Sequence, residues 1–176
     1  MRKAPKRMLL ELPTADEIDD LAMTTPHFEV RKFEFDMGKD KADLNYAPCK
    51  GEMTLVIAGK NGIALVGDKN SDRWRLPSCK IRTHETAIQA AKRLANEECG
   101  LGLRSLELSA IYDVVWHYAD LSVKRLHLLY AAITDDCECR SDGRNGTSEV
   151  RFFREIPKSV LDDELMSHAI ADCSEK

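Results

Sequence analysis

Apolar and polar positions along the chain follow two rhythms, one of period two and one of period 3.6. Residues 28–35 (Phe-Glu-Val-Arg-Lys-Phe-Glu-Phe) roughly alternate, as a strand with one buried face does. Apolar runs at 53–58 and 63–67 flank Gly59-Lys60-Asn61-Gly62, a hairpin signal. Residues 73–76 predict a short strand stopped by Pro77. The rhythm then changes: Ala87, Ile88, Ala91, Leu94 and Ala95 form one stripe of a helix expected over 86–99. Thr86 and Gln89 have capping-box spacing at its start, and Gly100 closes it. Strands are expected at 106–118 and 124–134, paired as a hairpin, and at 149–153 after a polar loop over 135–148. Two more helices are expected, at 14–23 with Thr14 as cap, and at 160–171 with Asp162, Asp163 and Glu164 in its first turn. Strands on both sides of a central helix predict an α/β fold with a mixed sheet covered by helices.

Composition narrows the class. Hydrophobic residues make up 43% and charged residues 32% of 176, the balance of a soluble globular domain. A formal charge of −4 gives no field that would grip nucleic-acid backbone, so nucleic acid is not the expected partner. No apolar run approaches the roughly 20 residues that cross a bilayer. The basic start is followed only by Met8-Leu9-Leu10, too short for an export signal, so the expected location is cytoplasmic. The six cysteines form no Cys-x-x-Cys pair and read as free thiols.

One residue breaks the central helix's pattern. Glu98 falls on the apolar stripe one turn beyond Leu94, and Glu97 lies at its margin. A carboxylate on a buried face requires a cation or a hydrogen-bonding partner. Arg93 is the neighbour expected to serve, and a divalent cation held by Glu97 and Glu98 is the alternative.

The surrounding spacing is specific. Leu76-Pro77-Ser78-Cys79 is followed by five residues, Glu85, seven residues and Arg93-Leu94-Ala95-Asn96-Glu97-Glu98-Cys99-Gly100-Leu101. This resembles the Nudix box of the Nudix hydrolases: a Gly, five residues, Glu, seven residues, Arg-Glu, an aliphatic, any residue, Glu-Glu, any residue, Gly, an aliphatic. Cys79 stands for the glycine, and Leu94 for the glutamate that often serves as metal ligand or general base. Arg93-Leu94 and Val115-Trp116-His117-Tyr118 are also similar to the GDP-mannose mannosyl hydrolase branch, which lacks the same glutamate. That branch's catalytic histidine has no counterpart near Asn145–Glu149 here.

The resemblance implies an α/β/α sandwich over residues 53–176, with 1–52 as a helix/strand extension packed on it, covering substrate or meeting a second copy in a homodimer. It implies hydrolysis of a nucleoside diphosphate joined to another group, such as a sugar, with magnesium or manganese held by Glu97, Glu98 and the Ser78 carbonyl. Glu98 and Glu149 would act in catalysis, Glu149 as the base that Leu94 cannot be, with Asp135, Asp136 and Glu138 as weaker alternatives. His117 and Arg93 would lie on the substrate side, Arg93 also joining loop to helix through Glu85. The alternative is a Nudix domain that binds a nucleotide or a protein partner without turnover.

Overall fold

The computed structural model describes residues 7–10, 29–41, 51–68, 72–139 and 147–174. The helix expected over 14–23 lies outside these residues. The described elements are β1 (Arg7–Leu10), β2 (Glu29–Asp36), β3 (Glu52–Gly59), β4 (Gly62–Asp68), β5 (Trp74–Arg75), β6 (Ser78–Lys80), α1 (Ala87–Glu97), β7 (Ser105–His117), β8 (Leu121–Ile133), β9 (Thr147–Phe153), α2 (Lys158–Leu161) and α3 (Glu164–Ser174). The strands join one mixed sheet in the order β2-β7-β8-β3-β4-β5, with β1, β6 and β9 added to β8, β3 and β4.

The expected hairpins are present. β3 and β4 turn through Lys60 and Asn61, with Gly59 opposite Gly62. Gly62 has φ +116°, and a Cβ there would lie 2.1 Å from the Phe153 carbonyl oxygen, so no side chain fits. β7 and β8 pair antiparallel from Ser105↔Ile133 to His117↔Ser122. β2 and β1, from the expected N-terminal extension, run parallel to β7 and β8 in the same sheet.

Strand alternation divides the apolar residues into two layers. Met53, Leu55, Ile57, Val66 and Leu128 pack with Ala90, Ala91, Leu94 and Ala95 of α1. Val56, Leu65, Ala110, Tyr112 and Leu129 pack on the other face with Val160 and Ala169 of α2 and α3. The result is an α/β/α sandwich.

Three expectations need correction. The helix expected over 160–171 is two helices, because the Asp163 carboxylate accepts from Met166 N–H at 2.9 Å. A short polar side chain that caps a new helix interrupts the one before it. Pro77 ends β5, but its carbonyl accepts from Leu55 N–H at 2.9 Å and the chain immediately forms β6 along β3, a strand the sequence reading missed. Ile88, expected on the apolar stripe, is 51% exposed, while Ala90 is fully buried. The helix turns its small side chains toward the sheet, which lets the two backbones approach closely.

The edge of β3 therefore passes from β6, at Glu52 to Thr54, to β4, at Ala58 and Gly59. Arg75 and Ser78 stand on either side of this split.

On the opposite face α3 is fixed by a polar contact. Tyr112 Oη donates to Asp172 Oδ2 at 2.5 Å, and Arg31 Nη2 reaches Asp172 Oδ1 at 2.7 Å. Burial, with the Asp172 carboxylate beside it, pushes the Tyr112 hydroxyl well above the ordinary tyrosine range. Removing a hydrogen bond to a charged group costs about 1.5–3 kcal/mol, so Tyr112→Phe is expected to lose that much stability in urea denaturation. An unchanged midpoint and slope would show that the contact does not fix α3.

Candidate functional site

The site is built where the β5–β6 connection meets the end of α1. Thr86 caps the helix as expected: its side chain accepts from Gln89 N–H, and the Gln89 side chain accepts from Thr86 N–H. At the other end Gly100, at φ +62°, turns the chain so that Leu101 N–H reaches the Ala95 carbonyl at 3.0 Å.

Two arginine–carboxylate pairs organise the space between loop and helix. Arg93 holds Glu85 through both forks, Nη2 to Oε1 at 2.6 Å and Nε to Oε2 at 3.0 Å. It also donates to the Lys80 carbonyl at 3.2 Å, and Glu85 accepts from Arg82 N–H at 2.9 Å. Arg93 thus joins loop to helix through Glu85, the contact expected of it, and it is not among the residues that line the cavity beside Arg75. The Arg93 hydrogen bond holds the Glu85 carboxyl below its ordinary value of 4.5, and Glu85 in turn raises the Arg93 guanidinium. Cys79, in the position expected for glycine, lies beside this pair; burial pushes its thiol up to about 11 against the pull of Arg93.

The second pair corrects the sequence reading. Glu98 is 3% exposed, and its partner is Arg75, Nη2 to Oε1 at 2.6 Å, rather than Arg93. Arg93 is already committed to Glu85, whereas Arg75 lies opposite Val66 and shares its face of the sheet, the face that packs α1. Leu94 is 1% exposed within that layer, so it is core.

Arg75 also lines a cavity of about 190 Å³. Thr54, Leu129, Tyr112 and His127 of the sheet form its floor, and Leu165, Met166 and Ala169 of α3 its roof. Ser78 and Asp163 complete the rim. Ser78 and Arg75, the partner of Glu98, thus line a partly apolar cavity, while Glu97 is half-buried one residue before Glu98. The Ser78 hydroxyl lies 3.1 Å from that of Thr54.

The remaining expected site residues are not brought to Glu98. Glu149 pairs with Arg151 on β9 and lies opposite Gly67, which lies opposite Trp74. Directly opposed residues share a face, and the Arg151 guanidinium stacks 5.7 Å from the Trp74 ring. This is the α3 face, whereas the neighbouring row Val150–Val66–Arg75 faces α1. His117 bonds Ser122 at 2.9 Å and faces Glu34 at 3.5 Å. Ser78 is level with Ala110 through Thr54 and Leu129, and β7 carries His117 ~20 Å further at about 3.3 Å per residue. Asp136 accepts from Gly102 N–H at 2.7 Å and Asp135 from Arg104 at 2.8 Å, both tying down the segment after Gly100.

Sequence reasoning missed Arg75 and His127. His127 sits two residues from Leu129 and Arg125, and strand alternation alone puts these three on one face. Its ring lies 3.3 Å from the Glu52 carboxylate, which also accepts from Arg125 at 2.8 Å.

Among the described residues no three His, Cys, Asp or Glu side chains gather as a metal cluster. The donor chemistry nonetheless fits magnesium or manganese. These ions take hard oxygens and commonly use only one or two carboxylates, with water and ligand phosphates completing the shell. Glu98 is a buried carboxylate already facing a cation, with Glu97 beside it in the chain and Ser78 three residues from its partner Arg75 as further oxygen donors.

No family model matches the chain, and no curated protein matches it in sequence. Solved structures do match in fold. The NUDIX domain of Shewanella oneidensis NrtR, complexed with ADP ribose, has a TM-score of 0.57 at 16% identity, over 77% of this chain and 93% of that one. The pyrophosphohydrolase BsRppH of Bacillus subtilis has 0.55 at 15%, over 78% and 89%. An ADP-ribose pyrophosphatase of Streptococcus suis has 0.52 at 18%, over 70% and 88%. The chain has the Nudix fold, and its loop–helix–loop is the segment that resembled the Nudix box.

The Glu85–Arg93 contact generates a pH prediction. A carboxyl held below its ordinary pKa stabilises the fold fully above that value, and the contribution is lost as pH falls through the lower folded value. Glu85→Gln removes the charge partner of a partly buried guanidinium and is expected to cost about 1.5–3 kcal/mol at pH 7. The difference from the wild type should shrink below pH 4.5. Urea denaturation at pH 7 and pH 3 checks this; a gap that stays constant between them contradicts it.

Proposed function

We propose that this chain is a Nudix-type, divalent-metal-dependent hydrolase of a nucleoside diphosphate joined to another group. The observation that carries this reading is the buried Glu98 carboxylate, paired with Arg75, a residue that also lines a cavity able to receive the ligand. Glu98, Glu97 and the Ser78 carbonyl would hold magnesium or manganese. When bound, such an ion neutralises diphosphate charge and orients water for attack.

The chain's own residues supply the rest. The Glu85–Arg93 fork fixes the loop that carries Ser78 against the helix that carries Glu98. Tyr112, Leu129 and Met166 offer apolar surface for a base or sugar, which supports a nucleotide-type ligand in preference to free pyrophosphate. His127 and Asp163 are the titratable side chains on the cavity wall besides Arg75 and Tyr112, and one of them would take the role of base, since Glu149 does not line the cavity. The resemblance of Arg93-Leu94 to the GDP-mannose mannosyl hydrolase branch supports a nucleotide sugar as substrate.

A second reading has its own observation. Leu94 lies in the core, so the position that often supplies a ligand or base supplies neither here, and a domain that binds such a nucleotide without turning it over is consistent with that. One panel separates the two readings. Purified protein is incubated with nucleotide sugars, ADP-ribose and nucleoside triphosphates, with magnesium, manganese or chelator, and the products are identified. The hydrolase reading expects metal-dependent release of products from at least one nucleotide diphosphate, with kcat at least ~100-fold lower in Glu98→Gln, the scale of losing a group that acts on the reacting charge. Saturable nucleotide binding with no product under either metal sinks it in favour of the binding domain.

A further inference from the structure

We propose that Arg75 is an internal counter-cation that competes with the divalent metal for Glu98 and, once displaced, presents its guanidinium to a phosphate of the ligand. The inference rests on the reading that Glu98 binds the metal.

Three observations carry it. Glu98 is 3% exposed and paired with Arg75 at 2.6 Å, so the ligand-free protein already satisfies this buried charge with a side chain. A divalent ion on the same carboxylate would crowd a guanidinium against a second cation, a repulsive arrangement that is relieved only if Arg75 leaves. Arg75 has somewhere to go: its side chain is 30% exposed and lines the cavity.

The contrast with Arg93 sharpens the point. Arg93 grips Glu85 through two nitrogens and has a further bond to the Lys80 carbonyl, and its side chain is 15% exposed. It is built to stay. Arg75 is the last residue of a two-residue strand, two positions before Pro77. Its second terminal nitrogen lies 3.4 Å from the adjacent Leu76 carbonyl, a long contact. A planar fork released into the cavity matches a phosphate's geometry, which an ammonium would meet only as a point charge. Metal binding to Glu98 and phosphate binding to Arg75 thereby become one exchange: the ion takes the carboxylate and the ligand takes the guanidinium.

The test measures manganese binding to the whole chain directly, by the electron paramagnetic resonance signal of free Mn²⁺, with no substrate present. Four proteins are compared: wild type, Arg75→Met, Arg75→Lys and Glu98→Gln. Removing the competitor is expected to tighten Mn²⁺ binding in Arg75→Met by about tenfold, within the range usual for coupled binding events. Arg75→Lys keeps the charge and should stay near the wild type. Glu98→Gln should lose the site.

Equal affinity in wild type and Arg75→Met, with loss in Glu98→Gln, overturns the exchange and leaves the metal at Glu98. Affinity unchanged in Glu98→Gln overturns the metal reading itself, and the exchange with it. If Arg75→Met does not fold, the wild type still decides: in a magnesium titration followed by NMR, the Arg75 side-chain N–H signal should move as the site fills. A signal that stays in place while magnesium binds contradicts the proposal.

Discussion

A carboxylate almost wholly removed from water must be given a cation or a set of donors, and the geometry around Glu98 follows from that requirement. Burying an unpaired charge costs far more than a hydrophobic contact returns. Glu98 lies on the face of α1 that packs the sheet because it continues the Leu94–Ala95 stripe. The compensating charge must therefore come from the sheet side, and β5 supplies it. The chain reaches that point by leaving the edge of β4 after Arg75, crossing at Pro77 and joining β3 at Ser78. The split in the sheet that this crossing creates is also what opens the cavity beneath α3.

The second arginine pair makes the first one usable. Glu85–Arg93 welds the loop to the helix, so the position of Ser78 relative to Glu98 does not depend on what occupies the cavity. Two superficially alike pairs thus differ in kind. One is doubly forked and enclosed, and the other joins a buried carboxylate to a more exposed arginine that lines the cavity. Leu94 completes the contrast: it contributes no charge and belongs to the apolar layer with Met53 and Leu55. Cys79 fits the same picture, since a thiol whose pKa burial raises to about 11 stays neutral near neutral pH and adds no charge beside Glu85.

Much of this architecture can be read from the sequence where a local rule governs it. The capping box at Thr86 and Gln89, the turn at Gly62 and the β7–β8 hairpin each depend on residues a few positions apart. The presence of a buried, charge-demanding Glu98 follows from helix periodicity alone. Its partner does not: Arg75 and Arg93 are both arginines near the box, and only the pairing of β5 with β4 decides between them. Glu149 and His117 show the same limit from the other side. Each sits next to a suggestive aromatic strand, yet strand register turns Glu149 to the opposite face and leaves His117 far along β7. Ile88 and Ala90 differ in hydrophobicity in the direction that misleads, because close helix–sheet approach selects small size over apolar area. The break at Asp163 was hidden by acidic residues that suit a first helical turn and a cap equally well.

Arg75 and a divalent metal are proposed to alternate at the buried Glu98 carboxylate. A crystal structure with manganese and a nucleotide diphosphate bound, read by anomalous scattering, addresses it most directly. A manganese peak is expected within about 2.0–2.3 Å of a Glu98 carboxylate oxygen, the bond length of a small hard cation to oxygen, with Arg75 turned into the cavity onto a phosphate. A nucleotide bound in the cavity with the Arg75–Glu98 pair intact and no metal beside it would contradict the claim.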